Sequence, residues 1–117
     1  MINLRGFLKE YKSQWNRLTI HILNEDEDEF TYKFLEDKYF SSSGIENCPI
    51  ELDKSQFYVK VKSKYFLEAY SNSICEKKIT LFDLIDKKVN LNLEIKYYNY
   101  KGRKGWYFIL KRIYKIN

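Results

Sequence analysis

The stretch Val89–Ile116, VNLNLEIKYYNYKGRKGWYFILKRIYKI, decides the fold. From Val89 to Tyr98 the residues alternate. Val89, Leu91, Leu93, Ile95 and Tyr97 share one side, and Asn90, Asn92, Glu94, Lys96 and Tyr98 the other. Period-two alternation is the pattern of a strand with one buried face. Lys101-Gly102 is the best turn, because glycine tolerates the positive φ of a tight hairpin. Folding there sets Tyr97 against Trp106, Ile95 against Phe108, and Leu93 against Leu110. Opposed apolar pairs stabilise a sheet. A four-residue loop, Lys101–Lys104, shifts the pairing by two and keeps the same residues on the same face. After Leu110 the alternation breaks, and a bulge near Lys111–Arg112 restores it.

The polar face of this hairpin carries Lys96, Tyr98, Tyr100, Arg103, Tyr107 and Lys111. Gly105 falls opposite Tyr98, so no side chain is expected to cover that ring. Cations beside uncovered rings suit nucleic acid: the charges neutralise phosphates, and each stacked base contributes ~1–3 kcal/mol. The plainer reading is a solvated sheet face with two turn glycines. A second segment repeats the pattern. In Gln56–Phe66, Phe57, Val59 and Val61 point one way, and Tyr58, Lys60, Lys62 and Lys64 the other. Two such strands side by side would make one continuous basic and aromatic platform.

The rest of the chain reads as packing for these strands. Residues 3–13 suggest a short helix with Phe7, Leu8 and Tyr11 on its apolar side, weakened by Gly6. Trp15–Leu23 alternates as a strand, with Arg17, Thr19 and His21 on the polar phase. Asn24–Glu29, NEDEDE, is an acidic turn. Phe30–Phe40 fits a strand or a helix and leans to helix or mixed structure, since acidic residues at its start suit a helix N-terminus. Ser41–Pro49 and Glu68–Lys78 read as loops. Thr80–Lys88 reads as a short helix, with Thr80 as N-cap and Asp83 in the capping-box position.

Composition bounds the function. The chain has 117 residues, enough for one domain, and a net charge of +5. Charge is unevenly placed: residues 1–23, 24–53, 54–78, 79–86 and 87–117 sum to +3, −8, +4, −2 and +8. A basic half of this kind suggests a polyanion partner. Abundant Tyr, Ile, Asn and Lys with a single Ala point to an AT-rich genome, as in many viruses and phages. No apolar run long enough for a membrane span and no signal peptide is visible, so an intracellular, non-secreted protein is expected. Cys48, Cys75 and His21 have no metal-ligand spacing, and no cofactor is expected. No nucleophile–base pair, phosphate loop or Rossmann fingerprint is present, so no enzymatic activity is expected.

The strand QFYVKVK, the segment TLFDLIDKK and the hairpin IKYYNYKGRKGWYFIL follow the order of an OB-fold, a five-stranded barrel with a helix between its third strand and its last two. Over residues 54–116 the chain resembles OB-fold single-stranded-DNA-binding proteins of viral and phage type. The resemblance implies a mainly β barrel with one or two short helices. It also implies nucleic-acid contacts for Tyr98, Tyr100, Lys101, Arg103, Lys104 and Trp106, although Trp106 belongs by phase to the core. If Phe30–Phe40 is a strand, the acidic turn before it sits where the family has another contacting loop, and that departure counts against binding there. The expected partner is single-stranded DNA or RNA. A homodimer through tyrosine-rich strands is a further expectation. The alternative is a small regulatory protein that docks a basic partner through its acidic residues 24–53.

Overall fold

The computed structural model describes residues 2–22, 29–42, 48–54, 56–63, 68–72, 74 and 77–116. Its N-terminal segment is a strand, β1 (Ile2–Lys12). The helix expected over residues 3–13 does not form. Leu4, Gly6 and Leu8 are buried with Arg5 exposed and Phe7 half-buried between them, the period of two that belongs to a strand and not to a helix. Both edges of β1 are also taken. One pairs with β2 (Arg17–Ile22) through Phe7–His21 and Lys12–Arg17, the other with β6 (Lys88–Tyr100) through Ile2–Leu93 and Phe7–Lys88. Two ladders outweigh the weak helical propensity of a segment containing glycine.

Between β2 and β6 come α1 (Glu29–Ser41), β3 (Ile50–Asp53), β4 (Gln56–Lys62) and β5 (Glu68–Tyr70). The ambiguous Phe30–Phe40 segment is therefore helical. Strand β5 opens the stretch Glu68–Lys78 read as loop, and β3 follows directly on the loop Ser41–Pro49; with three and four residues they are too short to show a period. The last strand, β7 (Arg103–Lys115), pairs with β6 in the expected register: Tyr97–Trp106, Ile95–Phe108 and Leu93–Leu110. Lys101 and Gly102 form the turn with φ of 50° and 78°, the two positive values of a type I′ hairpin. The ladder slips between Asn92–Arg112 and Leu93–Leu110, so Lys111 is the extra residue of the bulge.

The barrel closes through an additional parallel pairing of β4 with β7, Val61 with Phe108 and Lys62 with Ile109. Its circuit is β1–β2–β4–β7–β6–β1, a closed five-stranded barrel of mixed direction in a mainly β, OB-fold-like chain with one short helix. The number of strands is as expected, but the membership differs: β1 is a barrel strand and Phe30–Phe40 is not. The inward positions hold the core, with Leu8, Leu18, Val59, Leu91, Phe108 and Ile113 fully buried. No helix among the described residues is long and apolar enough to cross a membrane.

Two elements cover the barrel. The expected Thr80–Lys88 helix is a single 3-10 turn, Leu81–Leu84, with Leu81 and Leu84 buried. Its capping box is present: the Thr80 amide and hydroxyl both donate to the Asp83 carboxylate at 3.0 Å. The turn stops because the chain docks on β1. The Asp86 amide donates to the Leu8 carbonyl at 2.7 Å, and the Leu8 amide to the Lys87 carbonyl at 3.2 Å. Asp86 takes the left-handed conformation, φ 64°, and Lys88 already belongs to β6. Helix α1 lies at the end of the barrel that holds Phe57 and Trp106. Its Leu35 is buried, its Tyr39 ring meets Phe57 edge-on at 6.3 Å, and Ser42 at its end accepts the indole N–H of Trp106 at 2.7 Å.

That last bond is buried, so losing one partner strands the other. Ser42→Ala should lower the unfolding free energy by about 1–3 kcal/mol in urea titrations. Ser42→Thr, which keeps the acceptor, should stay near the wild type.

Candidate nucleic-acid interface

One edge of β4 pairs along its length with β2. The other edge is divided: Gln56–Val59 pair with β3, and Val61–Lys62 with β7. Strand β3 therefore occupies the place where β7 would continue toward its own start. The N-terminal part of β7 and the end of β6 leave the barrel as a two-stranded arm. Between the arm and β4 lies a cleft of about 550 Å³. Lys60 and Lys62 from β4 and Arg17 from β2 line one side. Tyr98, Tyr100 and Tyr107 of the arm line another, with Val61, Trp106, Cys48 and Pro49 completing it. The Pro49 carbonyl is fixed by the Lys60 amide at 2.8 Å.

The cleft is cationic. Three basic side chains and no carboxylate stand among its described lining residues. Lys62 Nζ sits 4.4 Å from the centre of the Tyr107 ring, a cation–π contact that holds both groups at the cleft wall. Tyr98 and Tyr107 lie 6.3 Å apart and tilted by 36°. The Tyr98 ring does not stand free, as the alternation suggests it should. It lies over Gly105, where an added Cβ would collide with the hydroxyl end of the ring. The glycine thus gives Tyr98 a seat and leaves the residue 39% exposed. Tyr100 is 66% exposed near the tip, with Lys101 Nζ 5.3 Å from its ring centre.

Of the residues expected to bind, Lys60, Lys62, Tyr98, Tyr100, Tyr107 and Trp106 meet at the cleft. Trp106 is only 6% exposed; it belongs to the core, in the phase its position dictates, and forms the cleft's inner wall. Lys101, Arg103 and Lys104 are exposed at the tip. By register Arg103 shares a face with Tyr100, and Lys104 takes the opposite one with Asn99. Tyr58 lies farther along β4, stacked on His21 at 4.7 Å and 10°, while the His21 ring bonds to the Gln56 side-chain oxygen at 2.7 Å. Lys96 and Lys111 both engage Glu94, at 3.4 and 2.9 Å. Lys64 lies outside the described residues, as does most of the acidic run Asn24–Glu29.

Arg17 is a cleft residue that reading the sequence does not reach. Its polar phase in β2 is legible, but its place beside Lys62 needs the β2–β4 pairing. That pairing continues a row of cations, since Lys12 faces Arg17 across β1 and β2. Trp15, two residues before Arg17, is 66% exposed on the turn Ser13–Trp15. This turn, and not the acidic run, joins the first two barrel strands. Phe30–Phe40 is helical, so the condition under which the acidic run would stand at a contacting loop is not met. Among the described residues no three His, Cys, Asp or Glu side chains cluster as metal ligands. Compared with known proteins, the chain matches no family model and no curated protein.

The Glu94 carboxylate is held below its ordinary pKa. The hydrogen bond from Lys111 contributes most; desolvation opposes it, and the charges of Lys111 and Lys96 add to it. A depressed carboxylate keeps its ion pairs above its ordinary pKa and loses them as pH falls through the lowered value. A carboxyl NMR titration should give a Glu94 midpoint below that of an unperturbed glutamate. Lys111→Ala should move the midpoint upward, and an unchanged midpoint would show the pair to be idle in solution.

Proposed function

We propose that this chain binds single-stranded nucleic acid, DNA or RNA, with little sequence preference. The cleft carries the reading. It sets Arg17, Lys60 and Lys62 against Tyr98, Tyr100 and Tyr107, with no carboxylate among its described lining residues. A nucleic-acid strand offers phosphates to the first set and base faces to the second. Every base has a π-face, so stacking on tyrosine tolerates any sequence. In a duplex those faces are already stacked on neighbours, which favours the single strand. The topology supports the same reading by analogy. OB-folds use the face of their second and third strands, with the loops after the first and fourth, for oligonucleotides. Here those elements are β2, β4, the turn bearing Trp15 and the Lys101-Gly102 turn.

Fluorescence anisotropy of a labelled oligothymidine over a range of salt tests the proposal. The logarithm of the binding constant should fall linearly with the logarithm of salt concentration. Replacing Arg17, Lys60 and Lys62 by Ala should flatten that slope by ~0.7 for each phosphate left without its cation. Tyr100→Ala should weaken binding by ~1–3 kcal/mol while leaving the slope unchanged. A wild type that binds nothing at low salt, or a triple variant that binds equally well, would sink the proposal.

A further inference from the structure

The arm is paired only with itself among the described residues. The β1–β6 ladder ends at Leu93, and the β4–β7 pairing begins at Phe108. Residues 94–107 therefore form a two-stranded ribbon whose base is tied to the core by Ile95 and Trp106 and which has no third strand to fix its direction. Such ribbons twist and bend readily. The cleft needs a fixed arm, because Tyr98 and Tyr100 must keep their places beside Lys60 and the Lys62–Tyr107 contact.

The arm has one face toward the cleft and one toward α1. On the second face the Lys38 ammonium donates to the Tyr97 hydroxyl at 3.0 Å. The same ammonium lies 5.4 Å from the centres of both the Tyr97 and the Trp106 rings. One helical turn on, Ser42 holds the indole N–H of Trp106. Helix α1 is itself anchored through buried Leu35 and through Tyr39 against Phe57. A chain of contacts thus runs from the barrel core through α1 to two adjacent positions of the arm, Tyr97 and its cross-strand partner Trp106. Lys38 does not line the cleft.

From this geometry we infer that Lys38 is a positioning residue. It pins the arm from behind, sets the width of the cleft, and so pre-organises the site for its ligand. The inference rests on the reading of the cleft as a nucleic-acid site, but the brace can be measured without ligand. A pre-organised site spends less of its interaction energy on ordering the arm. Loosening the brace therefore lowers affinity even though every group that touches the ligand is kept.

The test compares wild type, Lys38→Met and Tyr97→Phe. Met keeps the long stem without the ammonium, and Phe keeps the ring without the acceptor. Amide hydrogen exchange, in the absence of ligand, should accelerate in residues 94–107 of both variants and stay unchanged in residues 88–93. Oligothymidine affinity should fall about two- to fivefold in Lys38→Met, the scale of one solvent-exposed contact of a charged group. The salt slope should not move. The double variant should lose little more than either single one. Arm exchange equal to wild type in both variants overturns the inference. So does an affinity loss accompanied by a slope flattened by ~0.7, which would make Lys38 a phosphate contact. If the wild type binds no oligonucleotide, the proposed function fails, and the exchange data still decide whether Lys38 holds the arm.

Discussion

The barrel closes on two residue pairs, Val61 with Phe108 and Lys62 with Ile109. Inward, that contact joins Val61 to Phe108 and completes the core. Outward, it places the basic face of β4 beside the aromatic face of the hairpin, and Lys62 comes to rest on Tyr107. The contact is short because β3 takes the rest of the edge. A longer closure would lay β7 flat along β4 and leave no cleft; none at all would leave the two faces apart. The concavity therefore depends on how one strand edge is shared between two partners.

Aromatic residues do two separate jobs, divided by the pleat. Phe57, Phe108 and Trp106 point inward, with Trp106 and Phe108 edge to face at 5.0 Å and 89°. Tyr98, Tyr100 and Tyr107 point outward beside cations. The three aromatic residues that the arm gives to the cleft's outward face are tyrosines, whose hydroxyl tolerates water while the ring stays available. Tyr97 breaks the pattern. It lies in the inward phase but beyond the barrel, where the core has run out, and it is 70% exposed.

The hairpin is legible in the sequence because its period, its turn and its pairings agree, and each limits the others. Its turn, register and bulge all follow from side chains within one short stretch. The strand at Gln56–Lys62 is legible for the same reason. What escapes such reading is non-local. Ile2–Lys12 has a mixed pattern of its own and becomes a strand because β2 and β6 supply partners on both sides. Residues 80–88 contain a true capping box, yet the helix ends after one turn because β1 offers hydrogen bonds to the residues that follow. The candidate site divides the same way. Its lysines and tyrosines are readable from alternation, while Arg17 depends on which strands become neighbours. Alternation places Tyr98 opposite Gly105 on the right face; that the ring then settles on the glycine backbone is visible only in the structure.

Strand β1 has a consequence for how the chain folds. It sits between β2, its neighbour in sequence, and β6, whose residues Lys88 and Leu93 pair with Phe7 and Ile2 from the far part of the chain. During synthesis β1 and β2 can pair early, but the other edge of β1 stays open until Lys88–Leu93 has emerged. Closing so long a loop is entropically costly and belongs to the slow end of small-domain folding. Until then the central strand of the finished sheet is an edge strand, and edges invite association with other chains. Arg5 and Lys9 place charge along it in that interval. Strand β1 is thus made before both of its partners and fully paired only after the second of them, β6, is available to close the barrel.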